Sequence, residues 1–504
     1  MSVYGFFLAL QINLTFGDLG RHLKNGELFI EKLLIANANL YSFAYPDYLF
    51  INHHWGSGVV FYLIEGFAGF SGLSVAFIAI SLTTLLVFLN LACKYSSFAL
   101  AAPIAVIVIP VLITRHEVRP EVFSYFFSGL FLQVLWGYKS RTLRDRWLFL
   151  LPILEILWVN LHIYFFIGVV LIAVFLFELV VAYFINNKEQ DTVRRLKKLA
   201  GTLVLTLLAT CVNPAGISGA IYPFLILKEY EFPVIENYSI RAVLNAGFRF
   251  LPLPYFEIVF GLLCLSWLYA IVKNRSNLSL GNFVLSLIFS AMAWWAIRNL
   301  AFFAYFALPL AAVNLKGLVG KEDSPGTLLR VSVALVAIAF GLVAISPIYF
   351  VSSHRGRVGI GLEPANHAAA EFLLKQNIRG PIFNNYDVGG YLIYHLYPRH
   401  RVFVDNRPEA YPASFFSDVY FPLQIDEEKW QELSHTYGFN MICFNHRDRS
   451  VWAERFIVRR VLDPAWAPVF MDKDIIVLLK RYGPNQSVIE TYELPKERVL
   501  ERSN

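Results

Sequence analysis

Long apolar runs, broken by short charged stretches, fill the first two-thirds of the chain, and polar side chains recur at one end of those runs. A bilayer's hydrocarbon core is about 30 Å thick, so a helix needs roughly 20 apolar residues to cross it. Lipid offers no partner to backbone N–H and C=O groups, which forces such runs to be helical. The pattern predicts about eleven spans, near 1–16, 71–93, 98–114, 120–137, 147–161, 162–186, 199–213, 254–273, 279–296, 298–316 and 328–350. Segment 54–70 is apolar too, but Gly56, Gly58, Gly66 and Gly69 break it, and it reads as a juxtamembrane or re-entrant helix. The stretch Trp147 to Asn186 is too long for one crossing, and Asn160 and His162 mark its turn. Residues 1–16 lack a basic start and a small-residue cleavage site, so they read as a retained anchor, short at about 24 Å.

From about residue 351 the character changes. Ala365–Gln376 reads as a helix, Gly380–Asn384 as a strand entry, Arg401–Asp405 as a second strand, and Met441–Phe444 and Ile475–Leu479 as two more. Strands separated by helical patterns predict a small α/β domain. The predicted fold class is therefore an α-helical polytopic membrane protein with a C-terminal soluble α/β domain. Its membrane domain is 1–350, with outer loops 17–70, 114–121 and 214–253, and 351–504 lies outside the cytoplasm.

Composition agrees: of 504 residues, 57% are hydrophobic and 16% charged, against about 25% charged in soluble domains. The net charge of +6 comes from basic residues in short loops, as a topology signal does. No aromatic-interleaved basic patch points to nucleic acid. Lys139, Arg141, Arg144 and Arg146, then Lys188, Arg194, Arg195, Lys197 and Lys198, then Lys273 and Arg275, and finally Lys321 fall on one side, the cytoplasm. With a cytoplasmic N-terminus, the chain reads as a multi-pass protein of a bacterial inner membrane. The four cysteines, Cys93, Cys211, Cys264 and Cys443, form neither a disulfide framework nor a zinc spacing.

The opposite side collects the chemistry. Its first loop carries Asp18, Arg21, His22, Lys24 and Glu27, then His53, His54 and Trp55. Arg115, His116, Glu117, Arg119 and Glu121 follow, then Asn160 and His162, then Glu236 and Asn237, then Arg298 and Asn299. Ionisable groups near membrane depth cost about 2.5–3.5 kcal/mol each on insertion scales and face a cavity or a partner. Each group also has a structural reading. Asp18 can pair with Arg21 or cap a helix, Arg115 to Glu121 can form a salt-bridge knot, and His53 and His54 can anchor at headgroup depth. Arg298, a lone guanidinium between two apolar helices, calls for an anion, either a lipid phosphate or a carboxylate.

Taken in order, Asp18–Glu27, His53-His54-Trp55, Arg119-Pro120-Glu121, Trp158–His162, Asn213–Gly216 and Arg298-Asn299 resemble the bacterial GT-C-type membrane glycosyltransferases. The resemblance is to the group related to lipopolysaccharide-core and dolichyl-phosphate-mannose transferases. Phe383–Leu392 and Val402–Arg407 look like the outer domain appended to many members. The resemblance implies transfer of a sugar, a hexose or pentose, from a polyprenyl-phosphate donor to an outer-leaflet or periplasmic acceptor, with inversion. It makes Asp18 the general base, assisted by His54 and Glu117. The substrate-binding set is Arg21, His22, His53, Arg115, Arg119, Asn160, His162, Glu236 and Arg298, with Arg298 meeting the departing phosphate. The resemblance implies no definite cofactor and leaves a divalent metal open, with His54 or Glu117 as its holders. Some members use a divalent metal, but the first loop has no Asp-x-Asp or Asp-Glu pair to hold one. The expected partners are the lipid-linked sugar, membrane lipid and, through 351–504, an envelope protein. The competing expectation is a non-catalytic lipid-linked-sugar binding or cell-envelope assembly protein.

Overall fold

The computed structural model of the protein describes residues 1–185, 190–226, 232–246, 252–275, 278–318, 357–448 and 450–503, with isolated residues between 326 and 341. The expected span 328–350 and the expected boundary at 350 lie outside the continuously described residues. The first helices are α1 (Ser2–Leu8), α2 (Leu19–Lys32), α3 (Trp55–Tyr95), α4 (Phe98–Leu112), α5 (Glu121–Lys139), α6 (Leu150–Leu161) and α7 (Phe166–Ile185). They are followed by α8 (Gln190–Ala209), α9 (Gly216–Ile221), α10 (Ile240–Asn245), α11 (Leu253–Lys273), α12 (Leu280–Trp295) and α13 (Leu300–Asn314). Contacts divide the chain into two units. One holds Met1–Gln11, Ser74–Ala220 and Pro233–Ile360; the other holds Ile12–Leu73, Ile221–Phe232 and Gly361–Asn504.

The first unit is helical. Its core is α13, which is buried almost throughout and packs against α4, α11 and α12. Aromatic rings pack on its faces: Phe306 stacks on Phe289 of α12 at 3.7 Å, and Tyr305 on Phe88 of α3 at 5.1 Å. Two indole N–H groups inside the helices find partners on neighbouring helices. Trp136 Nε1 donates to Asn282 Oδ1 at 3.1 Å, and Trp267 Nε1 to Ser286 Oγ at 3.0 Å.

Among the described residues, five helical segments are long and apolar enough to cross a membrane: Trp55–Tyr95, Phe98–Arg115, Ile163–Ile185, Leu253–Lys273 and Ile297–Asn314. They match five of the expected spans, and the protein is a multi-pass membrane protein. The expected anchor at 1–16 is corrected. Only Ser2–Leu8 is helical, 7 residues, or about 10 Å. Beyond it the backbone pairs instead, Gln11 N donating to Arg357 O at 2.9 Å. The expected span 147–161 is a helix of only 12 residues, Leu150–Leu161. The turn between the fifth and sixth expected spans stands where Asn160 and His162 place it, with His162 extended between α6 and α7.

The second unit joins the first-loop residues to the C-terminal α/β fold. Strands β1 (Ile382–Asn384), β2 (Met441–Asn445), β3 (Trp466–Met471) and β4 (Ile475–Lys480) form one sheet in the order β1-β2-β4-β3. Strands β1 and β2 are parallel, and the other pairs are antiparallel. An aromatic core covers the sheet, including Phe383, Phe403, Tyr411, Phe415, Trp430 and Phe439, and Ala36 and Phe50 of the first loop are part of it. Arg401–Asp405, expected as a strand, is not one. Val402 makes a single bridge to Ser42, its N–H donating to Tyr41 O at 2.9 Å, so its backbone partners come from the first loop. β3 was not expected. It contains Pro468, which removes a ladder donor and is tolerated because β3 is an edge strand.

Helix α2 fits into this unit through two glycines. A Cβ on Gly20 would lie 2.5 Å from Gly390 O in the Gly389–Leu396 helix, and a Cβ on Gly26 would strike Gly58 O in α3. Gly69, at φ +63°, breaks α3 in the left-handed region that suits glycine. These contacts give a prediction of opposite signs. Gly26→Ala overpacks the α2–α3 contact and should destabilise by about 1–3 kcal/mol. Gly66→Ala, with nothing within 4 Å of its Cβ position, should stabilise by roughly 0.5–1 kcal/mol. Thermal unfolding in detergent checks both, and equal shifts for the two variants would refute the close-packing account.

Candidate functional site

The expected site residues fall into two clusters, one in each unit. In the second unit, Asp18 is the N-cap of α2, but its carboxylate does not cap the helix. It accepts from Arg21 Nη2 at 3.3 Å and lies 3.2 Å from His22 Nε2. Arg21 and His22 are buried, at 4% and 0% exposure, while the Asp18 side chain keeps 24%. The His54 ring stands edge-on to His22 with centroids 5.4 Å apart, and His53 lies against His54 at 3.9 Å. Asp18, Arg21, His22, His53 and His54 thus form one cluster. Glu409 borders it. Burial lifts its carboxyl above the usual range, and the Arg21 guanidinium opposes the rise.

In the first unit, Arg115 closes the turn after α4, Glu121 opens α5, and Glu236 and Asn237 sit on the short turn Ile235–Asn237. Arg298 sits on the turn Ile297–Asn299, between α12 and α13. Arg115 grips Glu121 through Nε and through Nη2, the latter at 2.5 Å, and donates from Nη2 to Glu236 at 3.2 Å. Arg119 donates to Glu117 at 2.6 Å and to Glu236 at 2.8 Å. Arg298 donates to Asn237 Oδ1 at 2.8 Å and stands 3.7 Å from Glu236. The salt-bridge knot expected for 115–121 is present, and it extends to Glu236. The anion facing Arg298 is that same carboxylate.

Burial alone would raise the Glu236 carboxyl, but Arg115, Arg119 and Arg298 outweigh it and hold it well below its usual range. Burial, with Arg119 beside it, pushes His116 down to about 3, so it is neutral near pH 7. His162 Nδ1 lies 2.8 Å from Ser124 Oγ, which accepts from Trp158 Nε1 at 2.7 Å. Asn160 donates to Ile156 O and Val212 O, both at 2.8 Å, and so ties the end of α6 to the end of α8. Sequence reasoning gave no role to Asn237, to Tyr164, or to Asn299, although Tyr164 donates to Asn299 Oδ1 at 2.7 Å. It also passed over Asn406, whose Nδ2 donates to Gly17 O at 2.7 Å. Asn237, Asn299 and Asn406 each adjoin a charged residue that had been singled out, and that adjacency was the available signal.

Among the described residues no group of three His, Cys, Asp or Glu side chains is placed to hold a metal ion. The nearest cation to the Asp18 carboxylate is a guanidinium. Among the described residues, the side chains around Asp18 do not fit a metal.

No family model and no curated protein matches the sequence. Solved structures do. The archaeal oligosaccharyltransferase AglB from Archaeoglobus fulgidus, in complex with an inhibitory peptide and a dolichol-phosphate, aligns at TM-score 0.58 and 13% identity over 93% of this chain and 72% of that one. The Archaeoglobus fulgidus oligosaccharyltransferase in complex with Zn and sulfate aligns at 0.54 and 14% identity, over 94% and 70%. Its apo form aligns at 0.55 and 13%, over 94% and 72%. The chain has the GT-C fold. As expected from the strand pattern after about residue 351 and from the Phe383–Leu392 and Val402–Arg407 motifs, this GT-C fold carries a small C-terminal sheet domain.

The Glu236 cluster sets a pH dependence. A carboxyl depressed on folding adds stability above its unfolded value, near 4.5, and that stability drains away as the pH falls toward the folded value. Glu236→Gln should melt below the wild type at pH 7, and the gap should narrow progressively below about pH 4.5. Unfolding midpoints between pH 7 and 3 check this; a gap independent of pH would dissociate Glu236 from the guanidiniums.

Proposed function

We propose that this protein is a glycosyltransferase of the bacterial inner membrane. It moves a sugar from a polyprenyl-phosphate donor to an outer-leaflet or periplasmic acceptor, with inversion. The observation that carries the reading is the fold likeness over 93% of the chain to an oligosaccharyltransferase whose structure holds a dolichol-phosphate. In the reaction the acceptor oxygen forms a bond to the anomeric carbon as the bond from that carbon to the phosphate oxygen breaks. The bonding pair leaves with the polyprenyl phosphate, and the acceptor's hydroxyl proton passes to the Asp18 carboxylate. A positioned base of this kind contributes typically 10²–10⁴-fold. Three features support Asp18 in that role: it stands at the positive end of α2, it is held by Arg21 and His22, and it is partly open to solvent.

The departing phosphate gains negative charge, which preorganised cations stabilise. Arg298, Arg115 and Arg119 have the chemistry for that task, and Glu117 and Glu236 keep them oriented. His54 assists Asp18 through the His22 ring, and His53 lies against His54.

Asp18→Asn should insert and fold as the wild type does while release of polyprenyl phosphate from a radiolabelled sugar donor falls by at least 10²-fold. Release within a few-fold of the wild type would remove Asp18 as the base. A wild-type protein that binds the donor and never releases the carrier would leave the binding-protein reading.

A further inference from the structure

We infer that Asn406, together with Gly390, positions Asp18, so that the C-terminal α/β residues set the geometry of the first-loop acid. The inference rests on the proposed role of Asp18. The carbonyl of Gly17, the residue before Asp18, accepts from Asn406 Nδ2 at 2.7 Å. That same oxygen lies 2.7 Å from the place a Cβ of Gly390 would take, and a Cβ on Gly20 would come within 2.5 Å of Gly390 O. Asp18 is thus bracketed, one residue before and two after, by contacts to a single glycine. The amide of Asn406 holds the first of these contacts. The helix N-terminus could otherwise fray, because the Asp18 side chain does not cap it.

Asn406 can serve as a fixed point because its own neighbours are immobilised. Arg407 donates to both oxygens of Asp405 at 2.7 Å, with both residues fully buried. Asp405 N–H donates to Tyr411 Oη at 3.0 Å. Asn384, at the end of β1, donates to Val404 O at 2.7 Å and accepts from Phe403 N–H at 2.9 Å. Gly389 has no side chain to push the turn away, since a Cβ there would run into Asp405 Cα. A continuous series of short contacts therefore leads from the sheet, through the turn 403–407, to the residue before Asp18. This gives the Phe383–Leu392 and Val402–Arg407 motifs a shared purpose. Asn406 touches no reacting atom in this account and is a positioning residue.

The test compares the full-length wild type with Asn406→Ala and Gly390→Ala in nanodiscs, and uses Asn440→Ala as control. Asn440 makes the same kind of bond elsewhere in the unit, Nδ2 to Gly380 O at 3.0 Å. Displacing a reacting group by about 1 Å can cost 10²-fold. Asn406→Ala and Gly390→Ala should therefore lower kcat on the order of 10- to 100-fold while KM for the polyprenyl-phosphate sugar stays within about two-fold. Amide hydrogen exchange over residues 18–23 should quicken in both variants and stay at the wild-type rate in Asn440→Ala. Wild-type kcat in Asn406→Ala overturns the inference. So does a lowered melting point with kcat unchanged below it, because that is the mark of a merely structural residue. If the wild type transfers no sugar, the proposed function falls, and exchange alone decides: an unaltered rate over 18–23 in Asn406→Ala overturns the positioning.

Discussion

Arg407 is a charge with no access to water, and everything around it follows from the need to satisfy it. Breaking a buried ion pair typically costs about 3–5 kcal/mol, because one partner is left charged and alone. Two of the guanidinium's bonds go to Asp405, and a third goes to Asn39 Oδ1 at 2.6 Å. Its faces lie 5.0 Å from the Tyr41 ring and 4.8 Å from the Phe50 ring, where a desolvated cation gains further. Asn39, Tyr41 and Phe50 all belong to the first loop. That loop cannot leave the C-terminal residues without stranding the cation, and this explains why Ile12–Leu73 and Gly361–Asn504 make one unit. Asn13 Nδ2 donating to Asp474 at 2.8 Å and Ser42 Oγ donating to Phe403 O at 2.9 Å secure the same segment at two more places.

The first unit solves its charge problem differently. Arg115, Arg119 and Arg298 meet Glu117, Glu121 and Glu236, so the signs balance and no group is left as an isolated ion. Two of the three turns involved join consecutive helices, α4 to α5 and α12 to α13, and the third, Ile235–Asn237, brings the carboxylate that the three guanidiniums share. Around them the walls are aromatic, with Tyr125 against Phe302 at 4.7 Å and Tyr164 against the same ring at 5.2 Å. Low-dielectric walls strengthen each charge interaction and make each unmet charge more costly.

How far the residues foretold this depended on the distance over which partners had to be found. Hydropathy reads one helix at a time, so it located the turn at Asn160–His162, the break in α3 and the long apolar helices well. It failed at residues 1–16, where an apolar run folds as a short helix and then an extended segment bonded to Arg357. It failed again at Arg401–Asp405, where β-forming residues take their bonds from Tyr41 and from the Asn384 side chain. β3 was hidden by Pro468. For the candidate site, local charge patterns sufficed for Arg115 with Glu121 and for Asp18 with Arg21. Nothing along the chain announces that Gly17 and Asn406 meet, or Asn39 and Arg407, because those pairs are separated by 389 and 368 positions.

Two aspartates in the second unit, Asp405 and the proposed base Asp18, are held in different ways. Asp405 is fully buried, and both its oxygens are taken by Arg407 at 2.7 Å. Tyr411 Oη donates to one of them at 3.0 Å. A carboxylate so fully satisfied has no lone pair to offer a substrate hydroxyl without losing a strong bond. The ion pairs of Asp18 are looser. Its contacts to Arg21 and His22 are longer, at 3.3 and 3.2 Å, both reach the same oxygen, and a quarter of the side chain remains exposed. The tighter pair holds the turn in place, and the looser carboxylate is held by that turn through the backbone of Gly17. If Asp18 is the base proposed for it, rigidity and reactivity fall to different acids of one connected network.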